Sequence, residues 1–350
     1  MTNETFVVGL ALCCALAVRW ACKTLPAEKW QILATIPITK DEEGRWRGVN
    51  LTYYGLLTAS AASVAITLLF VFLTALGVPP GGIAAIIAAE CLLCLPAAKI
   101  VARLVERKEA TFTVAGAFFV GFGAAPWAIA AVNWAADGVS GFPMPVTETV
   151  AALATIYAVG EGFGRLACIS FGCCYGKPLS QLPSSVSRIF GRWHFVFSGE
   201  MKKIAYASGL EGEPVLPIQA ITSGLYLCTG LAATWLFLEA HYVAVLALTI
   251  TVTQGWRVVS EMFRADYRGE GRLSVYQAMG LLSIPYAWWI PQLFPLVQAP
   301  PPSIGLGLQA LWNPWVVLLL QSLWLALFVL FGKSMVTSSA ISFHLHEDRI

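Results

Sequence analysis

Two charged clusters interrupt the apolar runs of this sequence. Glu161 and Arg165 stand four residues apart near the end of one run, with Tyr175 and Lys177 shortly after it. Arg257, Glu261 and Arg264 end another run. Spacings of three and four residues place side chains on one helix face. An arginine within a membrane costs about 2.5 to 3.5 kcal/mol on insertion scales, so it usually has a functional partner. Arg165 and Arg257 therefore predict an anion-binding site, and a lipid phosphate suits their bidentate geometry.

A structural interpretation of the second cluster competes with this one. Arg257 and Glu261 are expected to pair on their shared helix face. Arg264 would then extend to the membrane interface, as long basic side chains do near helix ends. Two intramembrane arginines at Arg165 and Arg257 nevertheless favour an anionic ligand over a purely structural network.

Weaker polar candidates begin two other apolar runs. Tyr54 lies in the segment Asn50-Leu-Thr-Tyr-Tyr-Gly, although interfacial tyrosine is common in any membrane protein. Gln219 follows Pro217 at the start of a later run and is a possible donor to a substrate. The pair Cys91 and Cys94 lacks further ligands nearby, and we predict no metal site, nucleotide site or cofactor from the spacings.

The composition predicts the elements that position these residues. Hydrophobic residues make up 57% of the 350 and charged residues only 12%, against about 25% in a typical soluble domain. A membrane-spanning helix needs about 20 apolar residues. We predict an all-α polytopic integral membrane protein with eight to nine transmembrane helices, at 5–22, 51–77, 81–102, 111–135, 147–169, 217–238, 241–263, 273–296 and 305–332.

The predicted organisation is one membrane domain with short additions. Residues 1–22 form an extra N-terminal transmembrane helix without the features of a cleaved signal peptide. Residues 23–49 are a polar connection, 50–332 the membrane domain and 333–350 a C-terminal tail. Within the membrane domain, residues 170–216 form a small extramembrane head.

Most of the 22 Lys and Arg residues lie at one end of the predicted helices. They occur in or beside the connections 23–50, 103–110, 170–216 and 264–272 and past the last helix. The connections 78–82, 136–146, 239–241 and 297–304 have none. The positive-inside rule would place the basic end in the cytoplasm.

The stretch from Gly164 to Gly176 reads GRLACISFGCCYG and resembles the GRxGNFxNxExxG signature of the prolipoprotein diacylglyceryl transferases. Further matches follow the family's order over roughly residues 50 to 330. Tyr54-Gly55 is similar to a family Tyr-Gly, Leu216-Pro-Ile-Gln219 to its HPxQ segment, and Trp256 through Arg264 to its late F-R-x3-E-F-x-R run. The resemblance implies a multi-pass protein of the bacterial inner membrane whose arginine site faces the outer leaflet, against the positive-inside rule.

The resemblance also implies a reaction. The family transfers the diacylglyceryl group of phosphatidylglycerol to the lipobox cysteine of a prelipoprotein and releases glycerol phosphate. Here it implies a phosphatidylglycerol-like anionic lipid, a prelipoprotein or other acceptor, and no nucleic acid. The charged clusters and the resemblance together predict the catalytic residues Arg165, Arg257, Glu261 and Glu161. The predicted substrate-binding residues are Tyr54, Gly164, Gly172, Cys168, Cys173, Gln219 and Arg264.

Departures from the family pattern leave the acceptor open. The HGGL segment corresponds to 114–118, which has no His, and the signature's Asn and Glu are replaced by Cys168 and Cys173. Glu161 and Glu90 are then candidate bases, and a covalent role for either cysteine is an alternative to a packed turn or a disulfide. The alternatives to a lipobox thiol are another acceptor (a sugar, another lipid or another thiol) and a chain that only binds lipid.

Overall fold

The computed structural model describes residues 2–106, 113–135, 144–266, 273–297 and 301–350. Helices dominate these ranges, which confirms the predicted all-α polytopic class. The helices are α1 (Asn3–Thr24), α2 (Tyr53–Ala75), α3 (Pro80–Glu106), α4 (Val114–Ala135), α5 (Val146–Phe171), α6 (Ser184–Phe190), α7 (Lys203–Ser208), α8 (Ile218–Leu238), α9 (Tyr242–Glu261), α10 (Val275–Leu293), α11 (Ile304–Gln309) and α12 (Pro314–Gly332). The strands are β1 (Ile32–Lys40), β2 (Trp46–Thr52), β3 (Phe195–Val196), β4 (Pro214–Val215) and β5 (Lys333–Ile341).

Eight described helices are long and apolar enough to cross a membrane: α1, α2, α3, α4, α5, α8, α9 and α12. This agrees with the prediction of eight to nine spans. The ninth expected span, 273–296, forms α10, which contains Pro285 and Pro291 and is not among the eight. The expected span 305–332 divides at Asn313, whose side chain accepts from the Trp315 amide and begins α12.

Helix α5 lies at the centre of the bundle and packs against α2, α4, α8 and α9. Close approach to α8 depends on a small residue, because a Cβ at Gly162 would lie 2.8 Å from Leu227 Cγ. Small residues allow such contacts between membrane helices. Because α5 also carries Glu161 and Arg165, the packing places both side chains inside the bundle rather than towards lipid.

A three-stranded antiparallel sheet in the order β1-β2-β5 joins the polar connection to the C-terminal segment. The sequence predicts a connection and a tail there, without strands. Asn50 holds the sheet together from a fully buried position. Its Oδ1 accepts from Thr35 at 2.8 Å and Ser339 at 2.7 Å, and its Nδ2 donates to Thr337 at 3.1 Å.

The head at 170–216 is fastened to the helix ends by Lys202. Its buried ammonium group donates to the carbonyls of Leu25 at 3.1 Å and Ser170 at 2.6 Å, near the ends of α1 and α5. Burial lowers the pKa of Lys202 from 10.5 to about 8. The head, the 23–50 connection and β5 therefore lie at the same end of the bundle, which we call the basic end.

Parts of four expected connections lie outside the described residues: 107–110, 136–143, 267–272 and 298–300. The first two residues of the expected span 111–135 do as well. The basic charge expected at 107–108 and at 267–272 therefore stays a sequence-based prediction.

Candidate functional site

A cavity of about 20 Å³, large enough for about one water molecule, lies among α5, α8 and α9 near the basic end. Its lining brings together residues that are far apart in sequence. They include three arginines, one carboxylate, one amide and one thiol, which are Arg165, Arg257, Arg264, Glu261, Gln219 and Cys174. This group contains four of the predicted charged residues, so the two sequence clusters meet at one place.

Glu161 is shared by two of these arginines. Its Oε1 accepts a hydrogen bond from Arg165 Nη2 and lies 3.6 Å from Arg257 Nη2. The three side chains are between 6% and 13% exposed, so their charges interact with little screening by solvent. One carboxylate therefore neutralises only part of the charge of two guanidinium groups.

Tyr157 completes the anchorage of Arg257. Its hydroxyl accepts from Arg257 Nη2 at 2.9 Å and from Gln254 Nε2 at 3.2 Å. Tyr157 precedes Glu161 by four residues on α5, so both reach the same guanidinium group from one helix face. Arg257 is thereby held from α5, although it belongs to α9.

The arginine pair retains hydrogen-bonding capacity. Among the described residues, the Nε atoms of Arg165 and Arg257 are buried without a partner. A buried donor without a partner costs about 1 to 3 kcal/mol. An anionic group that accepted hydrogen bonds from these two Nε atoms would remove this cost. The arginines flank a cavity in which a phosphate oxygen could lie.

Arg264 does not extend to the interface as the structural alternative expected. Its side chain is 9% exposed and donates to both carboxylate oxygens of Asp266, at 2.8 and 2.7 Å. The backbone of Arg264 bridges that of Gly176. This contact ties the end of α9 to the turn that follows α5 and keeps Arg264 at the cavity.

The expected pairing of Arg257 with Glu261 is wrong. The described contacts of Arg257 go to Glu161 and Tyr157 instead. Glu161 lies between two guanidinium groups inside the bundle, where an ion pair gains most from low dielectric. Glu261 is left as a partly exposed carboxylate in the cavity lining.

Three cysteines cluster at the end of α5 and in the turn that follows it. The Sγ atoms of Cys168, Cys173 and Cys174 all lie within 4.8 Å of one another, and Cys168 and Cys174 are 3.9 Å apart. Among the described residues, no disulfide joins these cysteines. The structure therefore does not contain the disulfide that the sequence left as an alternative. Hydrogen bonds from the two neighbouring thiols, and then burial, raise the pKa of Cys173.

The backbone of the cysteine turn needs left-handed residues. Gly172 ends α5 at φ 69°, and Cys174 has φ 55°. A left-handed conformation is easy for glycine but costs a residue such as Cys174 about 1 to 3 kcal/mol. Gln219 supports the turn by donating to the Cys173 carbonyl at 2.9 Å.

Two other predicted binding residues lie beside the site. Tyr54 packs against Phe171 with ring centroids 5.5 Å apart and lies within electrostatic range of Arg165 and the three cysteines. Gly164 faces open space, because a Cβ added there would meet no neighbouring atom within 4 Å. These surroundings give no packing reason for a glycine at this position.

Some candidates lie elsewhere. Glu90, a candidate base, belongs to α3, where Cys94 lies 3.6 Å from its carboxylate, and it does not line the cavity. Phe118, the last residue of the segment corresponding to HGGL, packs against Tyr157 with the rings tilted by 32° and their centroids 4.2 Å apart. Tyr175 is buried in the head and bonds to Ser208.

Several polar residues of this region were not among the sequence candidates, although the spacing could have identified one of them. Tyr157 begins the four-residue series that continues through the charged pair of α5. Tyr226 and Ser260 line the cavity, and Asp266 holds Arg264. The last three are ordinary helix or loop residues whose proximity depends on tertiary packing.

Comparison with known proteins identifies the family of this chain. The family model described as prolipoprotein diacylglyceryl transferase matches residues 45–291, well over half of the 350-residue chain. A search of curated protein sequences finds no match. On the family match, with the membrane-spanning helices, the chain belongs to the prolipoprotein diacylglyceryl transferase family.

Proposed function

We propose that this protein transfers the diacylglyceryl group of phosphatidylglycerol to the thiol of a prelipoprotein's lipobox cysteine. Glycerol phosphate is the second product. The observation that carries the proposal is the cavity at which Arg165, Arg257 and Arg264 meet. Three buried guanidinium groups suit a phosphodiester better than a neutral lipid, because arginine binds phosphate oxygens bidentately.

The arginines assist the departure of the leaving group. When the bond between the glycerol carbon and the phosphate oxygen breaks, negative charge increases on the released glycerol phosphate. Arg165 and Arg257 are already fixed by Glu161 and Tyr157, so little reorganisation is needed. Preorganised cationic donors of this kind stabilise the transition state more than the ground state.

Glu261 is the residue best placed to receive the acceptor's proton. The acceptor thiol must lose its proton to attack carbon efficiently, because the thiolate is the nucleophile. Glu261 lines the cavity and is not occupied by Arg257. Glu161 instead serves as the shared counterion of the arginine pair, and Tyr54 and Gln219 support the walls of the site.

We place the protein in the bacterial inner membrane with the basic end towards the outer leaflet. This orientation follows the family, whose arginine site faces the outer leaflet of the inner membrane. Alkaline phosphatase fused at residue 195 should then be active, and the same fusion at residue 140 inactive. Activity only at residue 140 would overturn this orientation.

A second candidate is transfer from the same lipid to a different acceptor. It is favoured by the segment 114–118, which has no His and whose Phe118 packs against Tyr157. A site without that base could serve an acceptor that does not depend on it. The lipid part of the proposal is common to both candidates.

Mass spectrometry of an acceptor peptide separates the two candidates. Purified protein in detergent is incubated with phosphatidylglycerol and a lipobox peptide, beside a matched peptide in which serine replaces the cysteine. We expect a diacylglyceryl mass increase on the cysteine peptide alone. Release of glycerol phosphate without any peptide modification would instead favour another acceptor.

A further inference from the structure

The three cysteines at the end of α5 and in the turn after it have the geometry of a metal-binding site. Cys168 lies on the last turns of α5, while Cys173 and Cys174 follow the left-handed Gly172. This reversal brings three Sγ atoms within 4.8 Å of one another. The left-handed backbone of Cys174 is strained, and this conformation places the third sulfur beside the first.

The sulfur separations suit zinc. Zinc binds thiolates at about 2.3 Å in tetrahedral geometry, so two coordinated sulfurs lie roughly 3.8 Å apart. The observed separation of Cys168 and Cys174 is 3.9 Å, and the remaining separations need only small side-chain movements to reach this value. Three protein ligands with an open fourth position are typical of catalytic rather than structural zinc.

The surroundings offset the charge that such a site would carry. Three thiolates and one Zn²⁺ have a net charge of about −1. Arg165 precedes Cys168 by one helical turn, and both Arg165 and Arg264 share the cavity lining with Cys174. Lys203 lies within electrostatic range of Cys173 and Cys174. These cations would balance the negative charge of a zinc–thiolate site.

We propose that Cys168, Cys173 and Cys174 bind Zn²⁺, and that its fourth position takes the acceptor thiol and presents it as a thiolate to the lipid. This inference rests on the proposed transfer to a thiol. Cys174 connects the two sites, because it belongs to the thiol cluster and also lines the arginine cavity. The metal and the bound phosphate would therefore be neighbours.

The step balances without any redox partner. The acceptor thiol loses its proton on binding the metal, and Glu261 accepts this proton from its place in the cavity lining. The thiolate sulfur then attacks the glycerol carbon, forming a carbon–sulfur bond as the bond from that carbon to the phosphate oxygen breaks. The electron pair leaves with glycerol phosphate, next to the arginines. A metal-bound thiol is deprotonated outright near neutral pH.

Cobalt binding tests the site independently of activity. The full-length protein, reduced and purified in detergent, is titrated with Co²⁺, whose tetrahedral thiolate complexes absorb visible light strongly. We expect one equivalent to bind and Zn²⁺ to displace it. Cys174→Gly should weaken binding by more than about 100-fold, since even residues that only support ligands contribute 10- to 100-fold.

Two controls separate a lost ligand from a lost fold. Cys174→Gly introduces a residue that adopts the observed φ of 55° easily, so the variant should fold at least as well as the parent. Cys228→Ser removes an exposed thiol on α8, outside the cluster, and should leave binding unchanged. Cys168→Ser provides a second ligand variant and should also lose the cobalt spectrum.

The acceptor's role is tested with a lipobox peptide and its serine counterpart. Addition of the cysteine peptide should change the cobalt spectrum, whereas the serine peptide should not. Absence of metal binding by the folded, reduced protein would overturn the proposal. A cobalt spectrum that does not change when the cysteine peptide is added would overturn it as well. Peptide lipidation that proceeds equally with a chelator would overturn the zinc inference while leaving the proposed function intact. A spectral response without any lipidation would instead count against the proposed function alone.

Discussion

Arg257 Nη2 lies 3.6 Å from Oε1 of Glu161, a residue of a different helix. Because Glu161 also accepts from Arg165, a single carboxylate holds one arginine from each sequence cluster. The relationship joins α5 to α9 inside the bundle and leaves Glu261 to line the cavity. In the proposed reaction, Glu161 fixes the arginines that bind the lipid phosphate, and Glu261 receives the proton of the acceptor.

Glu161→Gln should leave the two guanidinium groups without their shared counterion. Breaking a buried ion pair by removing one partner costs about 3 to 5 kcal/mol, so the variant should unfold at a lower temperature. Phosphatidylglycerol should restore more stability to the variant than to the parent, because its phosphate supplies the missing negative charge. Thermal unfolding with and without the lipid measures this, and Glu90→Gln, in α3, is the matched control. Equal stabilisation by lipid in Glu161→Gln and the parent would contradict the assignment.

Tyr157→Phe should loosen Arg257 without removing any charge. A hydrogen bond to a charged group contributes about 1.5 to 3 kcal/mol, so kcat/KM should fall roughly 10- to 100-fold. The expected change lies mainly in kcat, because the orientation of Arg257 matters most when charge develops on the leaving group. Tyr286→Phe, which removes a hydroxyl that donates to the Gly123 carbonyl at 2.8 Å, is the control. Similar kinetics in both variants would exclude a positioning role for Tyr157.

Glu261→Gln should lower the rate of the transfer step while lipid binding is kept. General acid–base groups contribute about 100- to 10,000-fold, so we expect kcat to fall by at least about 100-fold and the KM for phosphatidylglycerol to change little. A rise in the KM for lipid with kcat unchanged would show that Glu261 contributes to binding instead. The steady-state kinetics of Glu261→Asp supply a conservative comparison, because the variant retains the carboxylate.

The sequence predicts the class of fold well because each membrane span is recorded in a continuous apolar run. It does not predict the β1-β2-β5 sheet, whose third strand comes from residues 333–341, nearly 300 residues beyond its partner. Such pairing depends on where the helices bring the chain ends. The sequence shows that Asn50 is polar, but it does not show that the side chain bonds to the strands on both sides.

The candidate site is predicted from sequence as a set of residues rather than as a geometry. Local spacing suggests that Arg257 pairs with Glu261 on one helix, yet the bundle offers Arg257 a more deeply buried partner in Glu161. Likewise, Cys168 and Cys173 are recognisable as departures from a family pattern. Their clustering with a third thiol depends on the left-handed turn after α5, which sequence spacing alone does not reveal.

The buried Lys202 should make stability depend on pH. Its folded-state pKa of about 8 is below the usual 10.5, so between these values the unfolded protein binds more protons than the folded protein. Stability from this group therefore rises as pH increases from about 8 to 10.5 and is lowest below pH 8. The difference corresponds to roughly 3 kcal/mol.

Lys202→Met removes the titrating group and provides the comparison. We expect the difference in Tm between the parent and the variant to shift in favour of the parent across pH 8 to 10.5. Thermal unfolding in detergent over this range checks the expectation. A difference that is constant with pH would show that Lys202 keeps an ordinary pKa in the folded head.

The dependence of the reaction on the arginine cavity is tested by glycerol phosphate release from phosphatidylglycerol in the presence of a lipobox peptide. Arg165→Ala should reduce the release by about 100-fold or more, as expected for a donor that stabilises developing charge. The control variant Arg188→Ala changes an exposed arginine of the head. It should release glycerol phosphate at the parent's rate. Undiminished release by Arg165→Ala would contradict the proposed reaction, because the chemistry would then not depend on the arginine cavity.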